Sequence, residues 1–309
     1  MEKSTVILFP INATTNSTMA WTRICFWIGK NIPNVYVVNN QKTYNVIADR
    51  EDFDNIIVPY GSAFLCRNYN NFIYKNKKAK RFWLCNEYSL ILDGKNCFGA
   101  SYRDLGYEVI ANMPQDSYKI EKEKKYQTKW HMLPLNVTAS RLYIKQPKVN
   151  DLLYWGRYRE DREHYFQKYF CNEKWFISTS VKRENIRNFL NYNKNLNFIK
   201  KIDFQSYNNA IAQTKATIYI EDKWTHNNYN SLSDRFYEAI SLRCIPFFDE
   251  DTKNTIKNSN YNIPDEMIVK NTEEILDRLD KNICDFRYFD TKIKEEKETL
   301  KNMLCDLLL

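Results

Sequence analysis

The chain reads as an α/β protein made of two Rossmann-like halves, and three observations predict this. Short runs rich in Val, Ile and aromatic residues recur along it, each followed by a segment of helical periodicity. A polar stretch with a proline, Lys145 to Asn150, separates two such series. One unit, Ala216 to Asp251, shows the whole pattern of strand, loop, helix and strand, which makes a parallel pair with its loop at the carboxyl ends. Two halves of this kind predict two facing Rossmann-like domains with a deep cleft between them. The expected boundaries are residues 1–148, residues 149–290 and a C-terminal helix over 291–309.

In the first half, Thr5 to Ile11 reads as a strand that runs into the polar loop Asn12 to Thr18. Trp21, Cys25 and Ile28 mark a helix, and Val35 to Val38 a second strand. Phe53 to Pro59 is a third strand, Arg67 to Lys77 a basic aromatic helix, and Arg81 to Cys85 a fourth strand ending at Asn86-Glu87. Tyr107 to Ala111 and Trp130 to Leu133 are further strands. Tyr118 to Thr128 mixes Lys and Glu densely and reads as a solvated helix or loop.

The second half opens with a strand over Leu152 to Trp155, then Gly156 and the charged run Arg157 to Glu163, with a helix continuing through Tyr169. Lys174 to Thr179 is a strand and Glu184 to Tyr192 a helix; Phe198 to Ile202 leads into a helix at Tyr207 to Ala212. The unit at Ala216 follows. Met267 to Val269 is a late strand, Glu273 to Leu279 a helix, and a long amphipathic helix begins near Thr291.

Two clusters carry chemistry. Arg235 and Glu238 lie three apart on the first turn of a helix that Ser233 can cap. An arginine beside a helix N-terminus suits a diphosphate, and a glutamate one turn later can accept hydrogen bonds from ribose hydroxyls. The competing reading is a surface ion pair worth at most about 0.5 kcal/mol. Arg157, Arg159 and Arg162 follow a strand and Gly156 where a helix begins, so they point to the same carboxyl-end crevice. Their alternative is a solvated face, since Glu160, Asp161 and Glu163 alternate with them.

Composition sets bounds. The chain has 309 residues, a net charge of +8, 43% hydrophobic and 15% aromatic content, enough for a substantial core and compatible with a polyanionic partner. The eight cysteines form no CxxC pair, and the three histidines are widely separated, so a reduced cytosolic protein with no protein-ligated metal is expected. Val6 to Ile11 is too short for a signal peptide, and no run approaches the roughly 18 apolar residues of a membrane span. Three glycosylation triplets, at Asn12, Asn16 and Asn136, are expected by chance in so Asn-rich a chain. Heavy use of Lys, Asn, Ile and Tyr resembles the AT-rich coding bias of some bacteria and many phages.

Four stretches of the second half resemble the DNA β-glucosyltransferase family of T-even bacteriophages, two-domain enzymes of the GT-B fold. YWGRYREDRE (Tyr154 to Glu163) is similar to the family's strand-Gly-loop with two phosphate-binding arginines. KIDFQSYNNAIAQTKATIYIEDK (Lys201 to Lys223) resembles its helix and strand ending in Asp-Lys. SDRFYEAISLRCIPFFDEDT (Ser233 to Thr252) is similar to its Arg-x-x-Glu helix and next strand, and VKNTEEILDRL (Val269 to Leu279) to a later helix. FDNIIVPYGSAF (Phe53 to Phe64) and KRFWLCNE (Lys80 to Glu87) resemble its third and fourth strands more faintly.

The resemblance implies roles. Arg159, Arg162 and Arg235 would bind the diphosphate of a UDP-sugar, with Arg157 beside them. Glu238 would hold the ribose hydroxyls, and the backbone of Ile202 would face the uracil. Glu87 stands where the family has an aspartate general base, and would deprotonate the acceptor hydroxyl. The implied reaction is inverting transfer from a UDP-sugar to a 5-hydroxymethylpyrimidine, 5-hydroxymethylcytosine foremost, in double-stranded DNA. It would shield phage DNA from restriction in the cytoplasm of the infected host. Mg2+ or Mn2+ would assist without being tightly bound, and no membrane is involved. Basic clusters at Lys75–Arg81, Lys119–Lys129 and Arg141–Lys148 are candidate grips on DNA phosphates, or solvated faces. Three departures stand out: Arg157 replaces a small serine, the arginine loop is one residue shorter, and glutamate replaces the aspartate base. A GT-B enzyme acting on a surface glycan or a protein is the competing enzyme, and a DNA-binding protein that kept only the fold is the non-enzymatic alternative.

Overall fold

The structure is a computed structural model that describes residues 3–9, 20–59, 65–85, 106–112, 120, 123–124, 127–170, 175–180, 195–221 and 231–309. It divides into two compact units, Met1–Thr138 with Glu295–Leu309, and Ala139–Lys294.

The first unit is a six-stranded sheet of order β2-β1-β3-β4-β5-β6. Its strands are β1 (Thr5–Leu8), β2 (Val35–Val38), β3 (Asn55–Pro59), β4 (Lys80–Cys85), β5 (Tyr107–Asn112) and β6 (Trp130–Leu133). All pairings are parallel. A parallel sheet covered on both faces needs continuous apolar strands, and TVIL of β1 is buried at every position. Helices α1 (Ala20–Asn31), α2 (Gln41–Ile47) and α3 (Leu65–Lys75) connect the strands. Tyr69 and Phe72 of α3 pack with Val6, Leu8, Ile56 and Val58 in one core cluster.

Helix α2 escapes the sequence reading for a physical reason. Its segment QKTYNVI buries only Ile47 and carries no apolar stripe. It is specified at its start, by a capping box in which the Asn40 side chain accepts from Thr43 N and the Thr43 side chain from the Asn40 backbone.

The second unit carries a six-stranded sheet of order β12-β11-β10-β7-β8-β9, again parallel throughout. Its strands are β7 (Asn150–Arg157), β8 (Trp175–Ser180), β9 (Asn197–Ile199), β10 (Thr214–Tyr219), β11 (Ile245–Asp249) and β12 (Ile268–Val269). Its helices are α4 (Glu163–Tyr169), α5 (Phe204–Ala212), α6 (Asp234–Ser241), α7 (Lys253–Asn258), α8 (Thr272–Arg278) and α9 (Phe286–Leu308). The chain leaves β7 toward β8 and β9, then returns to place β10 on the other side of β7. This reversal makes the carboxyl ends of β7 and β10 the switch point of the sheet, where open α/β sheets bind ligands.

Strand β7 alternates between two cores. Leu152 and Tyr154 join Phe166 and Tyr169 of α4 on one face. Leu153 and Trp155 join Ile211 of α5 and Ala239 of α6 on the other. Two sequence expectations are adjusted here. The strand runs through Gly156 to Arg157 rather than stopping at Trp155, and the last helix starts at Phe286, five residues before Thr291. Asn55 of β3 donates to the Leu308 carbonyl at the end of that helix, 2.7 Å away. Among the described residues no helix is long and apolar enough to cross a membrane.

Candidate nucleotide-binding site

The site is built at the switch point of the second sheet. Helix α6 starts beside the carboxyl end of β10, with Ser233 at its N-cap position. Ser233 does not cap with its side chain, contrary to the sequence reading; its backbone N–H donates instead to the Tyr219 hydroxyl at 2.8 Å. The helix ends in a Schellman motif, with Arg243 in the left-handed region (φ 60°), Cys244 N–H bonded to Ala239 O and Arg243 N–H to Ile240 O.

Arg235 and Glu238 are both buried, at 8% and 5% exposure, which rules out the surface ion pair. They also serve different faces of the sheet. Arg235 crosses the end of β7: Nε donates to Trp155 O (2.9 Å), Nη1 to Ile220 O (3.0 Å) and Nη2 to the Tyr154 hydroxyl (3.3 Å). Its guanidinium also lies over the Tyr154 ring, 4.7 Å from the centroid. Gly156 makes the crossing possible, since a Cβ there would stand 3.0 Å from Arg235 Nη2 and 2.8 Å from the Tyr154 hydroxyl.

Glu238 stays on the other face. Its Oε2 accepts from Trp155 Nε1 and from the Tyr207 hydroxyl, each at 2.9 Å, and Oε1 from Arg141 Nη2 at 3.4 Å. Ile202 packs against the same core as Trp155 and Tyr207, and its N–H donates to Ser178 Oγ at 3.1 Å.

Arg162 ends the short 3-10 turn after β7 and is buried, at 5% exposure. Nη1 donates to the Tyr154 hydroxyl (2.8 Å) and Nη2 to Glu221 Oε2 (3.2 Å). Arg159 stands exposed at the N-cap of that turn, and Arg157 is the last residue of β7. The structure therefore brings Arg162 and Arg235 onto one hydroxyl, with Arg159 at the rim. Glu87 lies outside the described residues, as do the loop Asn12–Thr18, the helix expected at Glu184–Tyr192 and Asp222-Lys223.

Three participants were not foreseen as such. Tyr154 and Trp155 read only as strand residues, and Glu221 carries no signal of its own in the sequence. Only the β7–β10 neighbourhood reveals that their polar atoms organise the arginines and Glu238. Two buried guanidiniums share the one carboxylate of Glu221, whose Oε1 lies 3.9 Å from Arg235 Nη1. Arginine forks present donors that match phosphate oxygens.

Of the candidate DNA grips, Arg141 is half-buried with its side chain on Glu238, and the exposed Lys148 is held on backbone carbonyls. Arg141 N–H binds Ser241 Oγ (2.8 Å), and Lys148 Nζ donates to Thr214 O (2.8 Å) and Arg243 O (2.6 Å). Among the described residues no group of three His, Cys, Asp or Glu side chains could hold a metal ion.

The two parallel six-stranded sheets define a GT-B fold. Solved structures similar to this chain include glucosyltransferases. One is the DNA modifying enzyme beta-glucosyltransferase, determined with and without the substrate uridine diphosphoglucose, at 18% identity and TM-score 0.61 over 99% of this chain and 94% of that one. Another is T4 phage beta-glucosyltransferase, at 16% identity and TM-score 0.62 over 99% and 95%. A third is an alpha-glucosyltransferase in complex with UDP and a 13-mer DNA containing an HMU base, at 14% identity and TM-score 0.61 over 98% and 95%. By sequence, no family model matches and no curated protein matches.

Proposed function

We propose that this protein is a phage DNA glycosyltransferase, which moves a sugar from a UDP-sugar to the hydroxyl of a 5-hydroxymethylpyrimidine in duplex DNA with inversion. The observation that carries the reading is the convergence of Arg162 and Arg235 on the Tyr154 hydroxyl at the switch point, with Glu238 one helical turn on. The GT-B fold supports it, together with the DNA and UDP-glucose chemistry of the similar structures.

In this reading the donor lies along the carboxyl edge of the second sheet. The base sits by Ile202, the ribose at Glu238, and the diphosphate against Arg235, Arg162 and Arg159, with Arg157 beside it. Arg235 spends three of its five N–H groups on the protein, and two remain for phosphate oxygens. As the bond from the anomeric carbon to the diphosphate breaks, charge grows on the leaving UDP. Fixed guanidiniums stabilise that charge without reorganising. Glu87 takes the proton of the attacking hydroxymethyl group, a contribution of roughly 10²–10⁴-fold. The target base leaves the stack at about a few kcal/mol. The modified DNA would resist restriction in the host cytoplasm.

The test is UDP release from a panel of UDP-sugars with and without hydroxymethylcytosine-containing duplex DNA, followed by mass analysis of the nucleosides. DNA-dependent release and a matching mass increase on one nucleoside are expected. UDP binding with no release on any hydroxymethylated DNA would transfer the assignment to a glycan or protein acceptor.

A further inference from the structure

We propose that Glu221 reads the transferred sugar: its Oε2 holds Arg162 in place, and its Oε1 accepts a hydroxyl of the donor sugar. The inference rests on the UDP-sugar reading of this site and adds a specificity-determining residue to it.

Glu221 follows β10 directly, at the switch point, and is only 4% exposed. Its two oxygens differ. Oε2 accepts from Arg162 Nη2 at 3.2 Å. Oε1 is buried and accepts no hydrogen bond; Arg235 Nη1 lies 3.9 Å away and already donates to Ile220 O at 3.0 Å. Buried carboxylate oxygens are normally hydrogen-bonded, so an unfilled acceptor at a ligand crevice points to a donor on the ligand. Ser233 Oγ, at the start of α6, and Thr179 Oγ1, at the end of β8, are likewise buried without a hydrogen bond, on the same carboxyl edge.

Charge decides which part of the ligand meets Glu221. A carboxylate repels phosphate oxygens, so the diphosphate takes the arginines and a hydroxyl takes the carboxylate. Position decides which hydroxyl. Glu238, Trp155, Tyr207 and Ile202 occupy one face of β7, whereas Tyr154, Arg162 and Glu221 are linked on the other side of Arg235. A nucleoside on the Glu238 side, with its diphosphate over Arg235, leads its sugar toward Glu221.

The test is calorimetric titration of wild type and Glu221→Gln with UDP, UDP-glucose, UDP-galactose and UDP-xylose. In wild type, one UDP-sugar is expected to bind at least tenfold differently from UDP. In Glu221→Gln all three should fall within threefold of UDP titrated against the same variant, so that any change in the positioning of Arg162 cancels in the ratio. Ratios to UDP that are unchanged by the substitution would overturn the proposal and leave Glu221 a counter-ion. A wild type that binds neither UDP nor any UDP-sugar would overturn the nucleotide reading beneath it. Should Glu221→Gln fail to fold, wild type is titrated with the 2-, 3-, 4- and 6-deoxy analogues of UDP-glucose. One hydroxyl whose removal weakens binding tenfold is then required, and its absence rejects the proposal.

Discussion

Arg162 and Arg235 donate to one shared acceptor, the Tyr154 hydroxyl, at 2.8 and 3.3 Å. Two like charges are thereby held side by side before any anion arrives. In the proposed reading this arrangement is preorganised for a diphosphate, with Tyr154 as the shared acceptor that holds it. Tyr154→Phe deletes the shared acceptor and leaves the ring that underlies Arg235. UDP affinity is expected to fall about tenfold, or about 1.4 kcal/mol. Titration calorimetry checks this; unchanged affinity would show that the arginines are positioned by their other partners alone.

Gly156 lies under the path of Arg235. An alanine Cβ would meet the Tyr154 hydroxyl and Arg235 Nη2 closer than ordinary contact. Gly156→Ala is expected to lower stability by about 1–3 kcal/mol and to weaken UDP binding more than Tyr154→Phe does, because the guanidinium itself is displaced. Urea unfolding and UDP titration measure the two effects. A variant with wild-type values in both would refute the close approach.

Glu87→Gln keeps size and removes basicity. The expected outcome is loss of sugar transfer to hydroxymethylated DNA by at least about 10²-fold, with UDP affinity unchanged. Full transfer by this variant would reassign the base.

His131 gives a pH prediction independent of the site. Its Nε2 contacts Glu108 Oε2, and Lys80 Nζ lies 3.3 Å from the same oxygen. Burial outweighs the attraction to Glu108 and holds the imidazole below its ordinary range. For Glu108, burial opposes ionisation, but hydrogen bonds from His131 and Lys80 prevail and hold the carboxyl low. As pH falls through about 6.5, the unfolded chain protonates His131 before the folded chain does, so stability is lost. The contribution of Glu108 is complete above its unfolded value and is lost as pH falls from there through its folded one. His131→Gln should flatten the fall in melting temperature between about pH 7.5 and 5.5, which thermal scans at both values would show. An undiminished slope would place the titrating group elsewhere.

Much of the fold was legible locally. Runs rich in apolar and β-branched residues, such as those of β1 and β10, announce strands buried on both faces. The Arg235-x-x-Glu238 pair stood out because its spacing is that of one helical turn beside a strand end. Helix α2 was not legible, since its stability comes from a capping box and one buried isoleucine rather than from a stripe. The resemblance of Tyr154–Glu163 and Ser233–Thr252 to a glycosyltransferase family located the arginines, but not what orders them.

The amino-acid sequence by itself determined the α/β class, the succession of strands and helices and the residues that carry charge at their junctions, because periodicity and β-branching act over a few neighbours. Only the tertiary structure decided that β10 lies beside β7 rather than beside β9. That choice is a competition among whole strands for partners, and no local signal encodes it. It brings Arg235 across Gly156 to Tyr154, places Glu221 against Arg162, and turns Glu238 to Trp155 and Tyr207 on the opposite face. Side chains distant in sequence become one candidate anion site because the order of the parallel strands carries them to the same edge of the sheet.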